Sequence, residues 1–295
     1  MPSEAFERLY ELFKEFPLTP NEGLEAMRIA YNGMADKFAI KDDIKFEAVD
    51  IDGVRAEMIS APYCIGDKII MYLHGGAYVM GTIEMYYDMA SRISRAAGIK
   101  VISVNYRLAP ENKFPAGLDD SIAVYKWLLK KYSPKDIIIM GDSAGGGLTL
   151  ATLLKIRSLA LKMPLAAVCL SPWTDLAMTG KSIIEKAEVD PILNYNLLKY
   201  CADSYVGEDG DHCDPFVSPF YADLTGLPPI LIMVGEREIL LDDSMRFAKK
   251  AEFYGVDVTL VIAQEMTHVW SFFASVINEG QQAIEYIADY IQKRI

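Results

Sequence analysis

Six short apolar runs, spread along the sequence from residue 69 onward, constrain the fold more than any other feature. Each has four or five residues, mainly Ile, Val, Leu, Met and Ala, and helix-length amphipathic segments separate the runs. A strand that is buried on both faces is apolar throughout, so such runs alternating with helices are typical of a mostly parallel sheet flanked by helices. The runs occupy residues 69–73, 101–104, 137–140, 166–170, 230–234 and 258–262.

A β-hairpin is predicted ahead of these runs. Apolar and polar residues alternate over 44–48 and again over 54–58, and the dipeptide Asp52-Gly53 lies between the two segments. A period of two residues on each side of an Asp-Gly turn favours two antiparallel strands. The sequence therefore predicts an α/β fold with an eight-stranded, mostly parallel sheet.

Two segments do not fit this alternation. Residues 171–219 are too long for a connection between a strand and a helix, and too rich in apolar and aromatic residues for a disordered loop. The start of the chain carries two helical patterns, the first capped by Ser3 and the second over 21–38. Open α/β sheets bind ligands beyond the carboxyl ends of their strands. We therefore expect one domain, 1–295, with a helical cap formed by about 1–43 and about 171–219.

Composition excludes several classes of partner. The net charge of −12 and the pI near 4.8 argue against nucleic acid, because phosphate binding needs a basic surface. No apolar run approaches the length of a membrane span, and the first residues form no signal peptide, so we expect a cytoplasmic protein without a membrane anchor. Four scattered cysteines indicate neither a disulfide framework nor a zinc site, and no metal or organic cofactor is expected.

A glycine-flanked serine follows the third apolar run. The sequence Gly-Asp-Ser-Ala-Gly, with Ser143 at its centre, lies between a predicted strand and a predicted helix. This is the context of a nucleophile elbow, in which a strained turn exposes the serine hydroxyl at the edge of the sheet. The alternative is a glycine-rich turn that binds a phosphate, but the motif lacks the lysine and the glycine spacing of known phosphate loops.

A second glycine-rich loop, His74-Gly75-Gly76-Ala77, follows the first apolar run. Acyl transfer passes through a tetrahedral oxyanion, which backbone N–H groups stabilise when they point at it. Glycines allow the backbone to come close enough for this contact. In a chain that also carries a nucleophile elbow, this loop therefore predicts an oxyanion hole.

The candidate base follows by elimination, because the chain has three histidines. His74 begins the glycine loop and is expected to orient it. His212 lies in a polar stretch of residues 171–219, where a metal site is an alternative, although the spacing fits no zinc pattern. His268 follows the last apolar run, at the expected active edge of the sheet. We interpret His268 as the base, the alternative being an ordinary partly buried histidine.

The triad acid is expected after the fifth apolar run, between the serine and the histidine in sequence. Two candidates stand there, Glu238 and Asp242. Glu238 lies in the loop just past the strand, whereas Asp242 and its neighbour Asp243 are placed to cap the helix that follows. Glu238 is the preferred acid, and Asp242 remains the alternative.

Together these residues resemble the hormone-sensitive lipase family of α/β hydrolases, in its microbial carboxylesterase branch. The likeness covers about 68–275 and includes Tyr-Arg-Leu-Ala-Pro-Glu at 106–111 and Phe-Pro-Ala at 114–116. The resemblance implies an α/β-hydrolase fold in which Ser143 is the nucleophile, His268 the base and Glu238 the acid. The implied oxyanion donors are Gly75, Gly76, Ala77 and Ala144. The chain departs from the family at Ala77, where a third glycine is usual, and at Glu238, where aspartate is more common.

The implied function is a serine carboxylesterase that hydrolyses short-to-medium acyl esters through an acyl-enzyme. The alternatives are hydrolysis of amides or aryl-formamides on the same triad, and a small-molecule receptor without catalysis. A homodimer through the edge strand at 258–262 is also expected. Four apolar residues of the first 43 are expected to enclose a finite acyl pocket: Phe13, Met27, Tyr31 and Met34.

Overall fold

A computed structural model describes residues 2–295, so Met1, the first residue of the predicted cap, lies outside the described residues. The strands in this range are β1 Lys45–Ile51, β2 Val54–Ser60, β3 Ile65–Leu73, β4 Ile99–Val104, β5 Ile137–Asp142, β6 Ala166–Leu170, β7 Ile230–Gly235 and β8 Val258–Ala263. The α-helices are α1 Glu4–Glu15, α2 Leu24–Asn32, α3 Tyr87–Ala97, α4 Ala116–Leu128, α5 Ala144–Ser158, α6 Ser182–Glu185, α7 Tyr195–Val206, α8 Leu241–Phe253 and α9 Asn278–Gln292. Short 3-10 helices include Gly33–Lys37 and Trp270–Phe273.

The strands form a single sheet in the order β1-β2-β4-β3-β5-β6-β7-β8. β1 and β2 pair as the predicted hairpin, β2 runs antiparallel to β4, and the other neighbours are parallel. The prediction of an eight-stranded, mostly parallel sheet is therefore confirmed. Because the pairs are parallel from β4 to β8, the loops that follow these strands meet at one edge.

Alternate side chains of the central strands enter two separate cores. In β5, Ile137 and Ile139 pack into the core beneath α4, α5 and α8, while Ile138 and Met140 pack into the core beneath α3 and α9. All six residues of β5 are buried. This burial on both faces explains why the strands appear in the sequence as continuous apolar runs.

The start of the chain packs against its far end. Ser3 caps α1 by accepting a hydrogen bond from the N–H of Phe6, and its own N–H and hydroxyl donate to Glu279 in the first turn of α9. The second predicted helix is wrong in extent. It is an α-helix only over Leu24–Asn32, because Gly23 has φ +86° before it and Gly33, of low helix propensity, ends it.

None of the helices within residues 2–295 combines the length and hydropathy needed to cross a membrane.

Candidate active site

The turn at Ser143 has the geometry of a nucleophile elbow. β5 ends at Asp142 and α5 begins at Ala144, while Ser143 between them has φ 52° and ψ −123°, a sparsely populated conformation. A Cβ on Gly145 would lie 2.0 Å from the carbonyl oxygen of Leu73, so glycine is required where this turn crosses β3. The strand, turn and helix that the motif predicts are all present.

Three side chains meet at the carboxyl ends of β5, β7 and β8. The Nε2 atom of His268 lies 2.9 Å from Oγ of Ser143, and its Nδ1 atom is hydrogen-bonded to Oε2 of Glu238. Ser143 is 8% exposed, His268 6% and Glu238 0%. A hydroxyl, an imidazole and a carboxylate are thus aligned in a site largely shielded from solvent, which is the arrangement of a serine nucleophile with its base and orienting acid.

The carboxylate of Glu238 governs the protonation of the histidine. Burial by itself would lower the pKa of His268, but the charge of Glu238 and its hydrogen bond to Nδ1 outweigh burial and raise the pKa above its usual 6.5. The other oxygen of Glu238, Oε1, accepts hydrogen bonds from the hydroxyl of Ser171 and the N–H of Gly235, both at 2.8 Å. Both oxygens are therefore held, and one of them faces His268.

Asp242, the alternative acid, lies outside this constellation. Its carboxylate accepts hydrogen bonds from the N–H groups of Lys181 and Ser182, at 2.7 and 3.3 Å. The expectation that Asp242 caps its own helix is wrong, because Leu240 occupies the N-cap of α8 without a side-chain hydrogen bond. Asp242 instead holds the start of α6, in the segment between β6 and β7.

Two buried carboxylates anchor the same segment. Asp190 accepts a hydrogen bond from the N–H of Ile239 at 2.8 Å, next to Glu238, and Asp243 accepts from the N–H groups of Thr174 and Asp175 at 2.7 and 2.9 Å. Asp243 therefore holds the inserted segment rather than the helix start assigned to it from the sequence. Burial raises the pKa of Asp190 to about 6; burial, with the nearby Asp175 carboxylate, raises that of Asp243 to about 7.

The glycine loop faces Ser143, with one correction to the predicted donors. The N–H of Gly75 donates to Oδ1 of Asp142 at 2.9 Å, so it is not available to an oxyanion. Within residues 2–295, the N–H groups of Gly76, Ala77 and Ala144 donate to no protein atom. Gly76 has φ +112°, and a Cβ there would lie 2.2 Å from the carbonyl oxygen of Met80, so this position requires glycine. The alanine methyl at 77 is accommodated although φ is +53°.

Asp142 joins the loop to the elbow, and sequence reasoning missed this role. Its carboxylate also accepts hydrogen bonds from the hydroxyls of Tyr72 and Tyr86, at 2.7 and 3.0 Å, and the Tyr86 hydroxyl lies 2.9 Å from that of Tyr31 in α2. Burial raises the pKa of Asp142 to about 6, although the tyrosine hydroxyls favour its ionised form. The position of Asp142 inside the motif was the only signal.

The other two histidines serve different roles. His74 is buried against the ring of Tyr106, and its Nδ1 atom lies 2.7 Å from the carbonyl oxygen of Gly75, so it orients the glycine loop as predicted. Burial lowers the pKa of His74 to about 4. His212 contacts Asp203 at 3.2 Å, and in residues 2–295 no group of three His, Cys, Asp or Glu side chains is arranged to bind a metal.

A cavity of about 410 Å³ opens in front of Ser143 and His268. Its wall is mostly apolar, with contributions from α1, α2, α7 and the 3-10 helix that follows His268. Phe13, Tyr31 and Met34 line this cavity as expected, but Met27 does not, because it is buried in the core against the sheet. Both segments of the predicted cap therefore contribute residues to the cavity wall.

The chain is similar to known hydrolases in both sequence and structure. Residues 70–272 match a family described as having the alpha/beta hydrolase fold. The chain is 36% identical to an acetyl-hydrolase of Streptomyces hygroscopicus over 99% of this chain and 97% of that protein. It is similar to the crystal structure of an esterase from the bacterial hormone-sensitive lipase family, with 41% identity and a TM-score of 0.96 over 100% of this chain and 99% of that one. The structure of EstE5 soaked with p-nitrophenyl butyrate is also similar, with 40% identity and a TM-score of 0.95 over 99% of both chains.

Proposed function

Because the chain belongs to the bacterial hormone-sensitive lipase family of alpha/beta hydrolases, it is a carboxylic ester hydrolase, and we propose that Ser143, His268 and Glu238 are its catalytic triad. One observation carries the assignment. The imidazole of His268 is hydrogen-bonded to Ser143 on one side and to Glu238 on the other, and Ser143 and His268 line an apolar cavity.

The proposed reaction proceeds through an acyl-enzyme. Nε2 of His268 takes the proton of Ser143 as Oγ attacks the ester carbonyl, and the N–H groups of Gly76, Ala77 and Ala144 stabilise the oxyanion. The imidazolium, stabilised by Glu238, then protonates the leaving alcohol as its bond to the acyl carbon breaks. Water attacks the acyl-enzyme in the same way, with His268 again as the base, and releases the carboxylic acid.

We further propose that the substrates are esters of short-to-medium acyl chains. The cavity is finite and apolar, and residues of about 1–43 and about 171–219, which we propose to act as the cap, form its outer wall. EstE5 provides a parallel, since its crystals were soaked with a four-carbon acyl ester. We expect the cap residues in this wall to limit the length of the acyl chain that the cavity admits.

Two further proposals concern the oligomeric state of the protein and its location in the cell. A homodimer through β8 is supported by the position of this strand at the edge of the sheet, where its outer backbone groups lack a neighbouring strand in residues 2–295. A cytoplasmic location is supported by the four unpaired cysteines. Light scattering of the purified protein tests the first, and fractionation of the source cells the second.

The activity is tested with p-nitrophenyl esters of two to sixteen carbons and the corresponding anilides. We expect Ser143→Ala to abolish hydrolysis and labelling by a fluorophosphonate, because the reacting oxygen is removed. Ser103→Ala is the matched control, since Ser103 is a buried serine whose hydroxyl has no partner in the described residues. Turnover by Ser143→Ala within about tenfold of the parent would contradict the nucleophile, and faster hydrolysis of sixteen-carbon than of four-carbon esters would contradict the chain length.

A further inference from the structure

Ser171 is a buried hydroxyl that the reaction above does not use. It follows β6 directly, is 0% exposed, and its N–H donates to the carbonyl oxygen of Met233 at 2.6 Å. Its hydroxyl donates to Oε1 of Glu238 at 2.8 Å and accepts a hydrogen bond from the N–H of Val269 at 3.1 Å. One oxygen atom thus connects the side chain of the proposed acid with the backbone residue next to His268.

The backbone is strained at both residues of the hydrogen bond between Ser171 and Val269. Ser171 has φ +45° and Val269 has φ +47°, a left-handed conformation that is uncommon for any residue with a side chain and especially unfavourable for a β-branched one. Such conformations are energetically unfavourable and persist only where surrounding contacts hold them. The hydrogen bond between Val269 and Ser171 joins the two strained residues to each other.

We propose that Ser171 is a positioning residue for the triad, which acts by orienting the carboxylate of Glu238 toward His268. The proposal rests on the proposed function, because it takes Glu238 as the catalytic acid. It also explains how a glutamate can serve at this position, although an aspartate would have fewer rotatable bonds to fix. A glutamate side chain has three rotatable bonds, so its carboxylate needs contacts that fix its rotation.

The two carboxylate oxygens of Glu238 have different hydrogen-bond partners. Oε1 is held by Ser171 and by the N–H of Gly235, and this leaves Oε2 directed at Nδ1 of His268. Without the Ser171 hydroxyl, Oε1 retains a single donor and the carboxylate is free to rotate away from the imidazole. The N–H of Val269 also loses its acceptor in a buried place, which lowers the stability of the folded protein and is measured separately by thermal unfolding.

A double-mutant cycle tests whether Ser171 acts through Glu238. We expect Ser171→Ala to lower kcat about 10- to 100-fold, and to leave KM within about twofold because Ser171 does not line the cavity. In the Glu238→Gln background, where orienting the side chain no longer helps the imidazolium, the same substitution should change kcat by less than about twofold. Thermal unfolding of each variant measures the folded fraction, by which kcat is corrected.

Ser182→Ala is the matched control. The Ser182 hydroxyl is also buried, donates to the carbonyl oxygen of Ile239 at 2.7 Å and accepts from the N–H of Asp242 at 2.9 Å. It therefore makes the same number of hydrogen bonds, one of them to the residue that follows Glu238, without touching the carboxylate of Glu238. We expect a lower melting temperature with kcat within about threefold of the parent.

Each outcome decides the proposal. Equal losses from Ser171→Ala in both backgrounds, or an equal loss from Ser182→Ala, would show a general effect on the loop and overturn it. If Glu238→Gln keeps the parent kcat, the acid assignment fails and the proposal fails with it, whereas a crippled Glu238→Gln with additive effects refutes the proposal alone. If Ser171→Ala does not fold, Ser171→Cys is used in its place, because a thiol has similar shape but donates weakly.

Discussion

Replacing Glu238 by glutamine should remove most of the activity and leave the fold intact. The oxygen of the new amide is expected at the position of Oε1, where it can accept from Ser171 and Gly235 as the carboxylate does. Its NH₂ group then faces Nδ1 of His268. Because that group is a donor, Nδ1 must accept, and the ring proton moves to Nε2, which faces Ser143. In this tautomer the histidine cannot take the serine proton.

The size of the effect follows from this change of tautomer. The corresponding substitution in serine proteases costs about 10⁴ in kcat, which is about 5 kcal/mol of transition-state stabilisation. A second signature is the pH profile. Glu238 raises the pKa of His268, and activity requires the neutral imidazole, so the acid limb of kcat/KM should move to lower pH in Glu238→Gln.

The assay compares kcat for p-nitrophenyl butyrate in the parent, Glu238→Gln and Asp242→Asn. Asp242 provides the control because its carboxylate binds the N–H groups of Lys181 and Ser182 and does not contact the histidine. We expect Asp242→Asn to lose about 1 kcal/mol of stability and to keep kcat within about threefold. A Glu238→Gln variant within about tenfold of the parent, or a crippled Asp242→Asn, would refute the assignment of the acid.

Three further changes have outcomes that the structure predicts. Gly145→Ala should abolish activity and lower the melting temperature, because its Cβ would lie 2.0 Å from the carbonyl oxygen of Leu73; a folded, active variant would contradict the packing at the elbow. Phe13→Ala should raise the ratio of kcat/KM for twelve-carbon over four-carbon esters, since Phe13 packs on Phe273 in the cavity wall, and an unchanged ratio would exclude α1 from substrate selection. The free energy of unfolding of Asp243→Asn minus that of the parent should increase by at most about 4 kcal/mol as the pH rises from 3.8 to about 7. Denaturant unfolding measures both free energies. Over that range the parent loses stability with rising pH, because the carboxyl of Asp243 holds its proton more tightly in the folded state than in the unfolded state, and the variant has no such group. A difference in unfolding free energy that does not change with pH would contradict the raised pKa.

The sheet and the serine–histidine pair were predictable because their signals are local. Continuous apolar runs report burial on both faces, and the glycines around Ser143 report a turn that admits no side chain. The choice of Glu238 over Asp242 came from the position of each residue in its loop. What separates the two in the structure is contact with distant segments, since Asp242 is occupied by residues about sixty positions earlier.

The proposed donors of the oxyanion hole and the proposed role of Ser171 are not predictable in this way. A glycine pair indicates that the backbone can approach a ligand, but not which N–H is already bonded, and Gly75 is committed to a carboxylate 67 residues away. Ser171 follows an apolar run without any motif of its own. Its importance appears only when β6 and β7 are paired and its hydroxyl is brought against Glu238.

The contact between Ser3 and Glu279 implies an order of assembly during translation. The residues of α1 are synthesised before the part of α9 that they contact, which follows some 270 residues later. A nascent chain can therefore complete the turn at Ser143 well before α1 has a place to bind. Until α1 docks, the apolar cavity residues that it covers, such as Phe273, are exposed on the growing chain. The turn at Ser143 is thus synthesised well before His268, which completes the proposed triad, and before α9, against which the start of α1 packs.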